Sequence, residues 1–251
     1  MTSPLNLLID MHRDGERQGP GSKADTLRAL ELLHLPAGGD LRIADIGCGT
    51  GGQTLTLASK LQGNITAVDL FPEFLEVLNT NARKEGLEDR IHTLQASMDA
   101  LPFAPEEFDL IWAEGAIYNM GFEAGIRAWR QHLKPGGHLA VSEITWTSND
   151  RPVELEEHWK REYPEIGRAS EKIVQLEAGG YTLVGYFILP QASWEEGYYA
   201  PLEASLPAFL ERHGHSAEAR ELVRETEAEI RLYRTHRAHF SYGFYLARKD
   251  P

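Results

Sequence analysis

Residues 43–52 read IADIGCGTGG, an apolar run followed directly by a glycine-rich turn. The turn has the spacing G-x-G-x-x-G, with glycines at positions 47, 49 and 52. Glycines permit a tight turn and let a ligand approach the backbone, so the pattern is typical of a nucleotide-binding loop between a strand and a helix. By itself the pattern is weak evidence, and the residues around it decide its meaning.

Two acids near this turn indicate the kind of ligand. Asp69 ends the next predicted strand, 22 residues after Gly47, where a carboxylate can accept both hydroxyls of an adenosine ribose. Asp45 stands two residues ahead of Gly47. A carboxylate there opposes the pyrophosphate of a dinucleotide but attracts the ammonium and sulfonium of S-adenosylmethionine, directly or through water. The sequence therefore favours S-adenosylmethionine over an adenine dinucleotide.

Strands and helices alternate on both sides of the glycine turn. Apolar periodicity predicts helices after the first, second and fourth strands, and a fifth strand after the turn at 134–137. This rhythm predicts an α/β fold with a mostly parallel sheet and helices on both faces. The predicted strands of this region are 42–46, 65–70, 91–96, 108–113 and 138–144.

The C-terminal part departs from plain alternation. A helix at about 169–178 leads to a strand at 181–189, and the last predicted strand is 239–247. The residues between these strands, 190–237, are too many for a turn and show two helical patterns. We predict one domain, 1–251, with an N-terminal cap at 1–36 and a helical insertion at 190–237 over one edge of the sheet.

Composition and charge argue against some classes of binding partner. The 251 residues include 25 Lys and Arg against 38 Asp and Glu, a net charge of −13. Such a surface repels nucleic-acid phosphates and anionic lipid. The chain has one cysteine, no signal-peptide pattern and no apolar run of ~18–20 residues. We expect a cytoplasmic protein with no metal and no nucleic-acid or membrane partner, and a homodimer is compatible with the sequence.

The motifs resemble those of a known family. Asp45–Gly51 looks like motif I of the class I S-adenosylmethionine-dependent methyltransferases, whose fold is Rossmann-like, and Asp69 matches their second-strand acid. Ser97-Met98-Asp99 matches their adenine site, where the acid accepts the exocyclic amine. Phe108–Ile111 and Leu133–Gly137 match their fourth strand and the turn before the fifth.

A narrower resemblance extends over nearly the whole chain. It is to the methyltransferase type 11 group, related to quinone-biosynthesis enzymes, and within it to bacterial small-molecule methyltransferases without an assigned substrate. This resemblance does not indicate which substrate the protein uses. The segments that carry it are 17–22, 97–103, 114–119 and 163–166.

The resemblance and the glycine turn together imply a set of cofactor-binding residues. These are Gln18, Gly19, Asp45, Gly47, Cys48, Gly49, Gly52, Asp69, Leu70, Ser97, Met98, Asp99 and Glu114. Cys48 is expected to be a small buried residue under the loop and not a nucleophile, because no partner that lowers its pKa is evident.

Five further side chains are candidates for the reaction itself. Glu114 and Glu143 end the fourth and fifth strands, where ligands of open α/β sheets bind, so each could serve as a base or bind a cation. Tyr118 is a substrate-facing phenol or a core aromatic. Trp194 and Tyr198 line the acceptor pocket or fix the insertion to the sheet. The alternative for either acid is satisfaction by backbone N–H groups.

The acids also suggest the acceptor. With no basic partner evident, the two carboxylates favour an amine or a hydroxyl, unless Arg13 or Arg17 turns inward and neutralises one of them. The expected reaction is methyl transfer from S-adenosylmethionine to a small molecule, with Glu114 and Tyr118 catalytic and S-adenosylhomocysteine as product. The alternatives are a non-catalytic S-adenosylmethionine sensor and an oxidoreductase. Residues 1–21 and 190–237 should cover the cofactor.

Overall fold

One mixed sheet surrounds the strand that leads into the glycine turn. A computed structural model describes residues 3–35 and 39–251, so positions 1, 2 and 36 of the predicted N-terminal cap lie outside it. The order across the sheet is β3-β2-β1-β4-β5-β8-β7, with β6 paired to β5. The strands are β1 Leu41–Ile46, β2 Gly63–Asp69, β3 Ile91–Gln95, β4 Phe108–Ala113, β5 Leu133–Trp146, β6 Gly167–Arg168, β7 Tyr181–Ile188 and β8 Phe240–Lys249.

The sheet has the predicted character. Strand β1 pairs in parallel with β2 and β4, and β2 with β3, so that the carboxyl ends of these strands meet at one edge. Only β8 runs antiparallel to its neighbours, β5 and β7. The prediction of a mostly parallel, Rossmann-like sheet is confirmed. Strand β5 begins earlier than predicted because its register jumps from Leu133 to His138, so the turn residues between them bulge out of the ladder.

Helices cover both faces of this sheet. Alternate residues of a strand point to opposite faces, and accordingly Ile43 packs in one apolar cluster with α2, α3 and α4 while Ile46 packs in another with α5 and α7. The helices are α1 Pro4–His12, α2 Lys23–Leu33, α3 Gly52–Lys60, α4 Pro72–Glu85, α5 Phe122–Arg130, α6 Val153–Glu162, α7 Ala169–Ala178, α8 Gln191–Trp194, α9 Ala200–Arg212 and α10 Ala217–His236.

Three helices were not predicted from the sequence, namely α1, α6 and the single-turn α8. Helix α1 begins with Ser3, whose hydroxyl accepts a hydrogen bond from the Asn6 amide, and with Pro4 in the first turn, where proline needs no hydrogen-bond donor. Its short apolar stripe is buried outside the sheet, which is why a scan for sheet-covering helices misses it. Helix α6 begins after Pro152 and buries a single residue, Leu155.

The two segments outside the sheet pack on each other. Leu7 and Met11 of α1 share an apolar cluster with Phe209 of α9 and Val223 of α10. Asp10 at the end of α1 pairs with Arg212, with their closest atoms 2.9 Å apart. From here on, the word cap means α1 together with the helices from α8 to α10, and no longer residues 1–36. No helix within the described ranges is long and apolar enough to cross a bilayer.

Candidate functional site

A cavity of about 570 Å³ lies between the cap and the carboxyl ends of β1, β2 and β4. The cap contributes Leu8, Ile9, His12, Tyr198 and Glu229 to its wall, and Arg17–Pro20 line it from the segment after α1. The prediction that both outer segments cover this side of the sheet is confirmed. The remaining wall consists of Gly47–Gly49, Gln53, Val68–Phe71, Phe74, Ala96–Asp99, Glu114–Ala116 and Tyr118–Met120.

The glycine turn forms the floor of the cavity. Gly47 and Cys48 donate backbone hydrogen bonds to the Val68 carbonyl at 2.8 and 2.9 Å, which joins the turn to β2. Gly47 has φ +75°, and a Cβ at this position would collide with the Ala116 side chain. Glycine is therefore required here by both backbone conformation and space. Burial raises the pKa of the Cys48 thiol well above its usual range, as expected for a residue under the loop.

Asp69 lies where a ribose acid is expected. Its two carboxylate oxygens accept hydrogen bonds from the Gly49 amide at 2.8 Å and the Phe71 amide at 3.0 Å, and the side chain lines the cavity. These bonds fix the carboxylate between the turn and α4. Burial is the largest cause of a raised Asp69 pKa, and the amide hydrogen bonds oppose it. A carboxylate so placed can accept the two hydroxyls of a ribose.

Asp45 does not face the cavity, although the sequence placed it among the cofactor residues. The side chain is fully buried beneath the turn and accepts hydrogen bonds from Thr54 Oγ1 at 2.5 Å and Gln53 Nε2 at 3.4 Å. Burial raises its pKa to about 7. Gln53 also donates to the Cys48 carbonyl at 3.1 Å and does line the cavity. Any effect of Asp45 on a ligand therefore passes through Gln53 and the turn.

Gly52 is likewise absent from the cavity wall. A Cβ there would come within 2.7 Å of the Glu16 carbonyl, so the glycine is needed for contact with the N-terminal segment. That segment is tied down by Gln18, whose Oε1 accepts the Thr50 amide at 2.9 Å and whose Nε2 donates to Thr50 Oγ1 at 2.9 Å. Gln18 and Gly19 both line the cavity, as the sequence predicted.

The part of the cavity wall that follows β2 and β3 is largely apolar and contains one acid, Asp99. Leu70 is half-exposed to the cavity, and Ser97, Met98 and Asp99 follow β3 along the same wall. The Trp129 indole donates to the Met98 carbonyl at 3.0 Å, which fixes this loop. The structure thus brings eleven of the thirteen residues predicted for cofactor binding to the cavity wall, all except Asp45 and Gly52.

Glu114 lines the cavity but is fully engaged. Its carboxylate pairs with the Arg17 guanidinium and accepts hydrogen bonds from Thr26 Oγ1 at 2.7 Å and the Trp112 indole at 2.9 Å. The side chain is only 6 % exposed. Both carboxylate oxygens are thus occupied by donors, one of them a cation, as in a structural ion pair. The inward turn of Arg17, which the sequence left open, is what the structure shows.

Glu143 does not reach the cavity. It is fully buried below the sheet edge, where it accepts from the Tyr163 hydroxyl at 2.6 Å and pairs with Lys172 at 3.1 Å. Its Oε2 has no hydrogen-bond partner. The expectation that both acids lack a basic partner is wrong, because Arg17 and Lys172 come from segments far away in sequence. The buried triad holds α7 against β5.

The predicted aromatic residues divide between two roles. Trp194 is buried in the cap, stacked 4.3 Å from the Tyr233 ring with its indole donating to Ser241 Oγ at 2.9 Å, so its predicted substrate contact is wrong. Its large apolar surface is used to fix the insertion to β8. Tyr118 and Tyr198 do line the cavity. Burial raises the pKa of the Tyr118 phenol, which is therefore neutral.

The end of the cavity beneath the cap contains two residues that the sequence did not single out for this site. His12 of α1 donates from Nδ1 to the Leu8 carbonyl at 2.9 Å and accepts from the Tyr198 hydroxyl at Nε2 at 3.2 Å. Glu229 of α10 accepts from the Tyr199 hydroxyl at 2.9 Å. Burial lowers the pKa of His12 and raises that of Glu229. Only the fold of the cap brings these positions together. Within the described ranges, no group of three metal-binding side chains is present.

Comparison with known proteins identifies the central part of the chain. Residues 43–137 match the family model described as a methyltransferase domain. Methyltransferase GfsG of Streptomyces halstedii is 35% identical over 120 residues, 47% of this chain and 42% of that protein. The 27-O-demethylrifamycin SV methyltransferase of Amycolatopsis mediterranei is 28% identical over 153 residues, 61% of this chain and 54% of that protein. The chain thus spans about half the length of the curated relatives it matches.

Solved structures extend the likeness to the whole fold. A SAM-dependent methyltransferase from Geobacter sulfurreducens, in complex with S-adenosyl-L-homocysteine, superposes with a TM-score of 0.83 at 18% identity. The match covers 98% of this chain and 99% of that one. The described cap is therefore part of a known arrangement and not an addition to it. The comparisons therefore show a methyltransferase domain at residues 43–137 and, over nearly the whole chain, the fold of that solved structure.

Proposed function

We propose that this protein transfers a methyl group from S-adenosylmethionine to a small-molecule acceptor. The observation that carries the proposal is one cavity with two different ends. The first, which we call the donor end, contains the glycine turn, Asp69 and Asp99. The second, the acceptor end, lies under the cap and contains His12, Tyr118, Tyr198 and Glu229, together with Leu8, Ile9, Asn119 and Met120.

The donor end fits an adenosine ligand with no phosphate. Asp69 would accept the ribose hydroxyls and Asp99 the adenine amine, with Leu70 and Met98 against the base. The Gly47–Gly49 backbone lets the ligand approach closely. No Lys or Arg from the described part of the chain faces this end to balance a pyrophosphate, since Arg17 is held by Glu114. This charge pattern supports S-adenosylmethionine over a dinucleotide.

The cap supplies what the reaction needs from the protein. S-adenosylmethionine brings an activated methyl group, which an aligned nucleophile attacks from the side opposite sulfur. The chain must therefore position the acceptor and exclude water. Helix α1 and the insertion cover the cavity, and the Arg17–Glu114 pair joins the N-terminal segment to β4. We assign Glu114 this positioning role in place of the predicted base.

Proton transfer, where the acceptor requires it, falls to the acceptor end. Tyr118 lines the cavity, and as a neutral phenol it would orient the acceptor by hydrogen bonding. His12 is uncharged, because burial lowers its pKa, and carries its acceptor nitrogen toward Tyr198. A neutral imidazole that lines the cavity is the group best suited to take a proton. We expect the acceptor atom to be a nitrogen or an oxygen, with carbon as the alternative.

Cofactor binding gives the first test. Calorimetry should show binding of S-adenosylmethionine and S-adenosylhomocysteine, and none of NAD. Asp69→Ala removes the ribose acceptor and should weaken binding by about 1.5–3 kcal/mol, the scale of a hydrogen bond to a charged group. Asp89→Ala, an exposed acid ahead of β3, is the matched control and should bind normally. Unchanged affinity in a folded Asp69→Ala protein contradicts the assignment.

Product formation separates the enzyme from a sensor. A non-catalytic S-adenosylmethionine sensor uses the donor end alone, whereas an enzyme releases S-adenosylhomocysteine only when an acceptor fills the other end. Release should be measured across a panel of small amines, phenols and carboxylates. The polar acceptor end favours the enzyme, because a sensor has no need of it.

A further inference from the structure

We infer that the acceptor end binds a small molecule through an ammonium group, and that Glu229 is the side chain that binds it. One part of the inference rests on the proposed function, namely that this ligand is the methyl acceptor. It deepens that function by naming a substrate class, and it depends on three features of the cavity wall.

The first feature is the position of Glu229. Helix α10 is fixed on the cap because Ile230 and Tyr233, which follow Glu229, are buried in its aromatic cluster. Glu229 itself is exposed to the cavity. Its carboxylate accepts one hydrogen bond, from Tyr199, and no Lys, Arg or His among residues 3–35 and 39–251 forms an ion pair with it. The second oxygen is therefore open to a ligand.

The second feature is the charge of the remaining wall. Arg17 is the only Lys or Arg among the described residues that line the cavity, and Glu114 already neutralises it. His12 is kept uncharged by burial. An anionic ligand at the acceptor end would face Glu229 with no counter-charge, which carries a large desolvation cost. An ammonium group would supply the missing charge.

The third feature is the aromatic character of this end. The rings of His12 and Tyr198 are stacked with centroids 6.3 Å apart, and Tyr198 lies 5.1 Å from Tyr199. Tyr118, which follows β4, also lines the cavity. Aromatic rings attract cations through their electron-rich faces. Burial also raises the pKa of Glu229, and a bound cation would reverse that shift.

The experiment compares three probes of equal size and different charge. These are 2-phenylethylammonium, 2-phenylethanol and phenylacetate, each titrated into protein saturated with S-adenosylhomocysteine and followed by calorimetry. We expect the ammonium to bind at least about tenfold more tightly than the other two, the scale of a charge-assisted hydrogen bond. Glu229→Gln keeps the hydrogen bond from Tyr199 but removes the charge, and it should abolish this preference.

A matched control lies one turn earlier on the same helix. Glu225 is exposed and does not line the cavity, so Glu225→Gln makes the same charge change and should leave the preference intact. The wild-type protein alone also tests the inference, because its preference for the ammonium probe can be measured without any variant. Equal binding of the three probes, absence of ammonium binding, or a Glu229→Gln protein that still prefers the ammonium would overturn the inference.

The affinity for S-adenosylhomocysteine, measured before each titration, keeps the two proposals apart. Wild-type protein that fails to bind S-adenosylhomocysteine rejects the proposed function. Wild-type protein that binds it and shows no ammonium preference rejects only the role of Glu229. All three proteins should bind S-adenosylhomocysteine alike, because Glu229 belongs to the acceptor end.

Discussion

The donor end and the acceptor end of the cavity are built in different ways. At the donor end the floor is the backbone of the Gly47–Gly49 turn, and hydrogen bonds to β2 and Asp69 join this turn to the start of α4. At the acceptor end the surface is side chains from segments distant in sequence. The bond between His12 and Tyr198 joins residues 186 positions apart.

This difference determines how each end responds to change. A backbone surface depends on a few positions whose dihedral angles only glycine adopts readily, so one added methyl group can remove it. A side-chain surface depends on the charge and hydrogen bonding of individual groups, and it can be altered one group at a time. The fold therefore defines the donor, whereas the cap defines the acceptor. The predictions below test this division.

The largest effect on ligand affinity is expected at the donor end, from Gly47→Ala. The new Cβ would collide with Ala116 and would force an alanine into φ +75°. The turn would have to move, so we expect affinity for S-adenosylhomocysteine to fall at least 100-fold, or about 2.7 kcal/mol by the usual conversion. Calorimetry on the folded variant measures this.

The control for this change is Gly86→Ala. Gly86 ends α4 with φ +67°, and a Cβ there would meet nothing within 4 Å. Only the backbone strain remains, which should cost about 1–2 kcal/mol of stability without loss of S-adenosylhomocysteine binding. If both variants bind equally well, the backbone of the turn does not form the donor surface.

The Arg17–Glu114 pair joins the N-terminal segment to the end of β4. Breaking this pair should give the next effect, a loss of stability. Glu114→Gln leaves the buried Arg17 charge without its partner, so the free energy of unfolding should fall by about 3 kcal/mol or more. Arg17→Met should cost a similar amount by isolating Glu114. Chemical denaturation of both variants provides the measurement.

The double variant distinguishes a structural pair from a catalytic acid. With both charges removed, the loss should be smaller than the sum of the single losses by at least about 1 kcal/mol. Additive losses would mean that the two residues act independently, and Glu114 would then return as a candidate base. Restored stability with turnover still absent would also favour a catalytic Glu114.

The two ends also differ in how far the sequence predicts them. The donor end follows from local patterns, because the glycine turn, Asp69 and Asp99 each sit at the end of a strand that alternation predicts. The prediction is wrong at Asp45 and Glu114. The sequence shows that both residues are acids near the site, but their partners Thr54 and Arg17 decide which way each carboxylate faces. A pattern along the chain does not contain that contact.

The acceptor end was predictable only in part. Tyr118 and Tyr198 were identified as candidates, but the sequence could not decide between cavity and core for Trp194, because an aromatic residue in an insertion has no periodicity that separates the two. His12 and Glu229 carry no motif, and they meet only because α1 packs on α9 and α10. Their juxtaposition is a property of tertiary packing and not of local sequence.

Asp45 gives a smaller effect that depends on pH. Its pKa is about 7 in the folded protein and near 3.8 when unfolded, so between these values the folded state holds the proton more strongly. Stability should therefore fall as pH rises from 5 to 7, by up to about 1.4 kcal/mol per pH unit. Asp45→Asn should remove this slope, whereas Asp89→Asn should keep it. Denaturation at several pH values measures the difference, and a wild-type slope in Asp45→Asn would contradict the burial of this charge.

The smallest effect is expected from Tyr198→Phe at the acceptor end. The change removes the hydroxyl that donates to His12 Nε2 but keeps the ring, so the loss of stability should be about 1 kcal/mol or less. Affinity for S-adenosylhomocysteine should not change. Tyr233→Phe makes the same change in α10 without touching the cavity, and it serves as the control.

The pH profile of the same variant shows whether Tyr198 helps to keep His12 neutral. Because the folded pKa of His12 lies below the usual 6.5, its neutral form stabilises the fold above pH 6.5, and that stability is lost as pH falls through the folded pKa. The Tyr198 hydroxyl favours the neutral ring by donating to it. Without the hydroxyl the His12 pKa should rise toward 6.5, so Tyr198→Phe should lose less stability than wild type between pH 6.5 and 5. An identical acid profile in the two proteins would mean that burial alone keeps His12 neutral, and the acceptor end would then depend on packing as well as on hydrogen bonds.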